Sequence, residues 1–325
     1  MIYYRNGFCA RWMNSWYSRP QPYWADSTRI SLIGPYGLSR PHRNLTLTEK
    51  AIRALVLHDE LQAYWQGKDV FALVQHLEGD VARKVDGRET RRFLLGNTAY
   101  YRKLHTGVGW LEILKNLIRF RLPVIGARNE WQALNRMPAI GIASLEPVGF
   151  GEKYTNPARR LSFLITRELQ GTLQLDHYLA ARTEPLRFDQ KLRLIEKIAE
   201  ISRKLHGDGI NHRDFYLCHF MLEMASVEAW LQGSEPLLYL VDLHRAQVRR
   251  CVPERWLVKD IASLLFSANG FSLTRRDCYR FLRHYFSAPL SQIMQQHSSL
   301  LKKISQRSAQ LERREQRLIA RGLRG

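Results

Sequence analysis

Residues 205–220 read LHGDGINHRDFYLCHF, and residues 238–247 read LYLVDLHRAQ. The first string holds His212-Arg213-Asp214 with His219 five positions after the aspartate. The second sets Asp242 directly behind the apolar run Leu237 to Val241. One carboxylate on a loop after a helix, then another at a strand end, is the order that phosphoryl transfer to a hydroxyl requires. The first orients the acceptor hydroxyl, and the second holds the metal bridging the nucleotide phosphates.

Working outward, Asp189 to His206 predicts a helix, with Leu194, Ile198, Ile201 and Leu205 on one face and Gly207 and Gly209 at its end. Short strands are predicted near 218–222 and 237–241. Further helices are predicted over 173–182 and 256–268, and from Thr274, whose partner Asp277 makes a capping pair. Upstream, residues 77–105 carry β-prone runs punctuated by Gly79, Gly87 and the Gly96-Asn97 turn, which reads as strands joined by hairpins. Strands are also predicted at 140–149 and 161–166, and helices at 48–77, 110–120 and 128–137. Lys103 falls near the end of a strand and Glu130 on a helix 27 positions later, the pairing with which kinases hold the α- and β-phosphates. No G-x-G-x-x-G occurs, so no phosphate-covering loop is identified.

The remaining loop residues divide by chemistry. Arg213 and His212 read as structural supports, and Asp260 as a helix carboxylate that hydrogen-bonds the loop amides. His219 stands where protein kinases place a metal-binding Asn. It reads either as a second metal ligand or as a buried structural histidine, because Mg²⁺ prefers oxygen to imidazole.

The chain has 325 residues and 50 Lys+Arg against 30 Asp+Glu, a net charge of +20. Such a balance calls for an anionic partner. The ends are the most basic parts: residues 1–43 hold six arginines and one acid, and 287–325 hold eight Lys/Arg and two glutamates. Four scattered cysteines without a C-x-x-C pair point to reduced thiols and exclude a structural zinc site. No apolar run reaches membrane-span length and no signal peptide is evident, which places the protein in the cytoplasm. The charge alone also admits a nucleic-acid-binding protein, a partner that the ordered carboxylates argue against.

The residues resemble the bacterial lipopolysaccharide kinases. The strings Asn211-His212-Arg213-Asp214 with Tyr216, Cys218, His219 and Phe220, and Val241 to Gln247, carry the likeness. Lys103-Leu104-His105, Gly107 to Trp110, Glu130-Trp131, Arg255-Trp256, Lys259-Asp260 and Leu273 to Asp277 extend it over roughly residues 70–286. The resemblance implies an α+β, protein-kinase-like two-lobed fold using ATP and Mg²⁺. It implies transfer of the γ-phosphate to a hydroxyl of the first heptose in the lipopolysaccharide inner core. A second heptose, a Kdo sugar or a small molecule is the alternative acceptor. The implied roles are Asp214 as catalytic carboxylate, Lys103 and Glu130 at the nucleotide, and Asp242 and His219 at the metal. The expected organisation is a basic, poorly ordered extension over 1–45, an N-lobe with a preceding helix over 46–168, a helical C-lobe over 169–286 and a basic helical tail over 287–325. Because the acceptor is lipid-anchored, peripheral attachment at the cytoplasmic face of the inner membrane is expected. The tail Lys302 to Arg324 would then meet the anionic surface.

Overall fold

In IRALVL, at 52–57, β-branched and long aliphatic side chains favour an extended chain. In the computed structural model, which describes residues 52–322 apart from 86, 108–125 and 155, Ile52–Leu57 is strand β1. It is followed by helices α1 (Asp59–Trp65) and α2 (Val70–Gln75). Strands β2 (Asp80–Val85), β3 (Arg88–Leu95) and β4 (Thr98–His105) come next. Then follow helix α3 (Arg128–Arg136), strand β5 (Ala143–Ser144), and the buried strands β6 (Pro147–Lys153) and β7 (Leu161–Arg167). The expected helix over 48–77 is therefore corrected. Its first part pairs antiparallel with β6, Leu55 opposite Gly151, a long-range partner that local periodicity does not reveal.

Six strands form one antiparallel sheet in the order β1-β6-β7-β4-β3-β2. The β3–β4 hairpin turns at Gly96-Asn97, between the partners Leu95 and Thr98. Leu61, Phe71 and Val74 of the first two helices close one face over Phe163 and Ile165. Fully burying each such side chain stabilises by roughly 1.5–3 kcal/mol. On the other side Trp131 of α3 stacks on Phe150 at 5.3 Å between ring centres. The helix expected at 110–120 lies outside the described residues, as does the expected extension 1–45.

From strand β8 (Thr172–Gln174) onward the chain is mainly helical. Leu173 pairs with Leu222, so the helix expected to start there begins instead at Leu175, as α4 (Leu175–Ala180). The long α5 (Phe188–Gly207) leads into β9 (Ile210–Asn211) and β10 (Phe220–Glu223). Helix α6 (Val227–Leu231), β11 (Leu238–Leu240) and β12 (Gln247–Val248) follow. Helices α7 (Glu254–Ala268), α8 (Arg275–Phe286) and α9 (Leu290–Ala320) complete the lobe. The Thr274–Asp277 pair forms the expected capping box at the start of α8. In α9 the buried residues Ile293, Leu300 and Ile304 recur at helical spacing, and the helix packs along α7. Among the described helices none is long and apolar enough to cross a membrane. Cys218 and Cys278 are free thiols.

The junction between α5 and β9 depends on Gly209, at φ +78°, where an added Cβ would lie 1.8 Å from the Arg249 carbonyl oxygen. Gly209→Ala should lose at least about 1–2 kcal/mol from the left-handed backbone alone, with the clash adding to it. Equilibrium denaturation against the parent chain measures this loss.

Candidate active site

The loop after β9 is held from behind by a buried acid. Asp260, fully buried on α7, accepts the amide of His212 at 2.7 Å on one carboxylate oxygen and that of Arg213 at 2.8 Å on the other. These bonds hold Arg213 at φ +73°, a conformation that costs a non-glycine residue roughly 1–2 kcal/mol. Asp260 thus does what its place in the sequence suggested. The His212 ring is buried and donates from Nε2 to the Val241 carbonyl at 3.0 Å, tying this loop to the next. Burial lowers its pKa, so the ring is held neutral.

The five predicted site residues form a continuous chain of contacts. Lys103, on β4, is an ion-pair partner of Glu130 on α3, Nζ to Oε1 at 2.6 Å, and Glu130 is almost completely buried. The same Nζ lies 3.8 Å from Asp242 Oδ1. Asp242 lies two residues past the end of its strand at Leu240, with φ +61°. Its other oxygen is 3.5 Å from His219 Nε2. His219 Nδ1 is 2.6 Å from the Asp214 carbonyl oxygen, so that nitrogen is the donor. The Asp214 carboxylate, with its side chain 19% exposed, accepts from Arg245 instead.

Burial pushes the Asp242 carboxyl up, but the 2.6 Å hydrogen bond from His244 Nδ1 and the nearby His244, Lys103 and His219 charges outweigh it. The net effect holds Asp242 well below the usual carboxylate range. Burial, with Arg88, Lys103 and His244 adding repulsion, pushes His105 down to about 3, so it adds no charge to the site at neutral pH.

The structure also supplies groups to which sequence reasoning gave no role. Arg245 Nη1 is 3.1 Å from both oxygens of Asp214, and Lys259 Nζ is 3.7 Å from one of them. Lys259 also donates to the Arg213 carbonyl. His244 and Arg245 follow Asp242 directly, and Lys259 precedes Asp260. Their only sequence signal was adjacency to residues already chosen.

Among the described residues, no three His, Cys, Asp or Glu side chains cluster in a way that would hold a metal alone. Mg²⁺ does not need such a cage, because it binds through one or two carboxylates together with substrate phosphates. The donor set fits that pattern. His219 Nε2 and Asp242 Oδ2, 3.5 Å apart, are the nitrogen and oxygen that would face a divalent cation.

A strand lysine paired with a helix glutamate, a loop aspartate and a strand-end aspartate together define a phosphotransferase of the kinase class. Residues 72–285 match the Lipopolysaccharide kinase (Kdo/WaaP) family. The chain is 41% identical over 266 residues to the lipopolysaccharide core heptose(I) kinase WaaP of Pseudomonas aeruginosa, a match covering 81% of this chain and 97% of that one. It is also 41% identical over 262 residues to the protein of that name from Escherichia coli K12, covering 80% and 98%. A solved structure described as WaaP in complex with acyl carrier protein superposes with a TM-score of 0.69 at 36% identity, covering 79% of this chain and 99% of that one. The chain belongs to the lipopolysaccharide kinase (Kdo/WaaP) family, and its α+β fold is the one the sequence led us to expect.

Asp260→Ala leaves two buried amides without acceptors. It should cost about 2–5 kcal/mol of stability. Turnover should fall even under conditions where the variant stays folded. Thermal unfolding followed by assays on the folded fraction checks both effects.

Proposed function

We propose that this protein transfers the γ-phosphate of ATP to a hydroxyl of the first heptose in the lipopolysaccharide inner core. The observation that carries the reading is the unbroken path Glu130–Lys103–Asp242–His219–Asp214, each step at 3.8 Å or less. The heptose(I) kinase names of the relatives supply the acceptor. Lys103, fixed by Glu130, would bind the α- and β-phosphates of the nucleotide. Asp242 with His219 would hold Mg²⁺, which when bound neutralises charge on the phosphates. Asp214 would orient the acceptor hydroxyl and take its proton late in the transfer. Most of the acceleration then comes from positioning and electrostatics rather than from strong base chemistry.

The acceptor is a lipid-anchored sugar, so the reading places the protein at the cytoplasmic face of the inner membrane. The basic, exposed side of α9 would meet the anionic surface. We also propose an acyl carrier protein as a partner. Two observations support it: the relative captured in complex with one, and a cavity of about 970 Å³ in the helical lobe of this chain. Leu194, Ile198, Leu264, Phe281 and Ile304 supply much of the cavity's apolar wall. Acyl-loaded carrier protein should bind more tightly than the unloaded form, and titration calorimetry with both forms decides it. Equal affinities would remove the cavity from the account.

Asp214→Asn should lower turnover by about 10²–10⁴-fold with the fold intact. Lys103→Ala should raise KM for ATP by about tenfold or more, the loss of one charge-assisted bond. The deciding measurement is the mass of core oligosaccharide from cells with and without the gene. A missing phosphate on the first heptose supports the reading. A phosphate lost from another sugar replaces it with the second-heptose or Kdo acceptor, and an unchanged core leaves the small-molecule acceptor.

A further inference from the structure

On the far side of Asp214 the charge is unbalanced. Trp256 of α7 is surrounded by three cations: Arg213 with its guanidinium carbon 4.8 Å from the indole ring centre, Arg255 at 5.1 Å and the Lys259 ammonium at 5.8 Å. Arg249 hydrogen-bonds only the neutral side chains of Asn211 and Gln247. Among the described residues, Arg213, Arg249 and Arg255 form no ion pair, while Arg245 and Lys259 share the single carboxylate of Asp214. Two buried donors at this place, Arg213 Nε and Trp256 Nε1, have no hydrogen-bond partner. Burial holds Lys259 and Arg213 below their ordinary pKa values, with Arg245 adding repulsion to both. Burial lowers Arg249 too, and Arg255 adds to that.

Asp214 and Asp260 offset only part of this repulsion, and buried donors without acceptors are costly. An anion in the site would lower both costs. The nucleotide is not that anion in this geometry: Arg245 and Lys259 of this group meet the carboxylate of Asp214, whereas Lys103 reaches Asp242. We propose that Arg249, Arg255 and Lys259 form a seat for an anionic group on the acceptor, a carboxylate or a phosphate, beside the hydroxyl that Asp214 receives. The proposal rests on the reading of Asp214 as the acceptor-side carboxylate. Arg245 completes the device. In the free protein it covers both oxygens of Asp214, and an arriving anion gives it a second partner, freeing the carboxylate for the hydroxyl.

The test uses the full chain and inner-core oligosaccharide in three forms: intact, with carboxyl groups amidated, and with phosphates removed. Calorimetry without nucleotide gives the binding constant, and steady-state assays give KM for acceptor and for ATP separately. Arg255→Gln changes an exposed side chain. It should weaken binding of intact acceptor by roughly tenfold, the scale of one charge-assisted hydrogen bond. KM for ATP should stay unchanged, and Arg255→Lys should restore most of the affinity. Wild-type protein should lose a comparable factor with one modified acceptor, which identifies the group bound. Arg255→Gln should not discriminate against that form further. Equal weakening by Arg255→Gln on all three acceptors, or a rise in KM for ATP instead, overturns the proposal. Charge-dependent binding without turnover would leave the seat standing and remove the heptose reading. Normal turnover with binding indifferent to charge would do the reverse, and absence of both would remove both.

Discussion

Two hydrogen bonds from one buried carboxylate decide the shape of this site. Asp260 accepts the amides of both His212 and Arg213 at the bend of the loop after β9. Bonds to a charged group contribute about 1.5–3 kcal/mol each, more than the roughly 1–2 kcal/mol that a left-handed Arg213 costs. With the bend fixed, Asp214 can send its carbonyl to His219 and its carboxylate to Arg245. His219 reaches Asp242, and Asp242 reaches Lys103. Five residues from two lobes thus keep their register because one helix, α7, carries an acid at the right turn.

Asp242 is kept ionised by its surroundings rather than by exposure. Asp242 is largely desolvated, yet its carboxyl is held low because His244 bonds one oxygen directly and Lys103 and His219 add charge. The contacts run from the Lys103–Glu130 pair, through Asp242, to Asp214, whose carboxylate meets Arg245 and Lys259.

Much of this was legible in the sequence, for reasons that vary by residue. Asp214, Asp242 and Asp260 could be read because loop and strand-end carboxylates sit in short strings with strong local order. Lys103 and Glu130 could be read because hairpin punctuation put one on a strand and helical spacing put the other on a helix. The segment 52–57 was misread, because a six-residue aliphatic run suits helix and strand alike until β6 lies beside it. Leu173 was misread for the same cause, its partner Leu222 lying 49 positions away. Arg245 and Lys259 escaped a role because basic residues are abundant in a chain of this charge, and only coordinates single out those that meet Asp214.

The net charge announced an anionic partner without saying where it would lie, and the tail shows how that question divides. Helix α9 has an apolar stripe, but Ile293, Leu300 and Ile304 are buried within the helical lobe, and His297 stacks on Phe286. That stripe is therefore unavailable for insertion among acyl chains. The basic residues Lys302, Arg307, Arg313, Arg314 and Arg317 remain exposed on the other side. Exposed cations of this kind act on an anionic partner through charge, an attraction that physiological salt largely screens beyond about 8 Å. Beside Asp214 the setting is mixed: Lys259 and Arg245 are partly buried, whereas Arg255 is exposed.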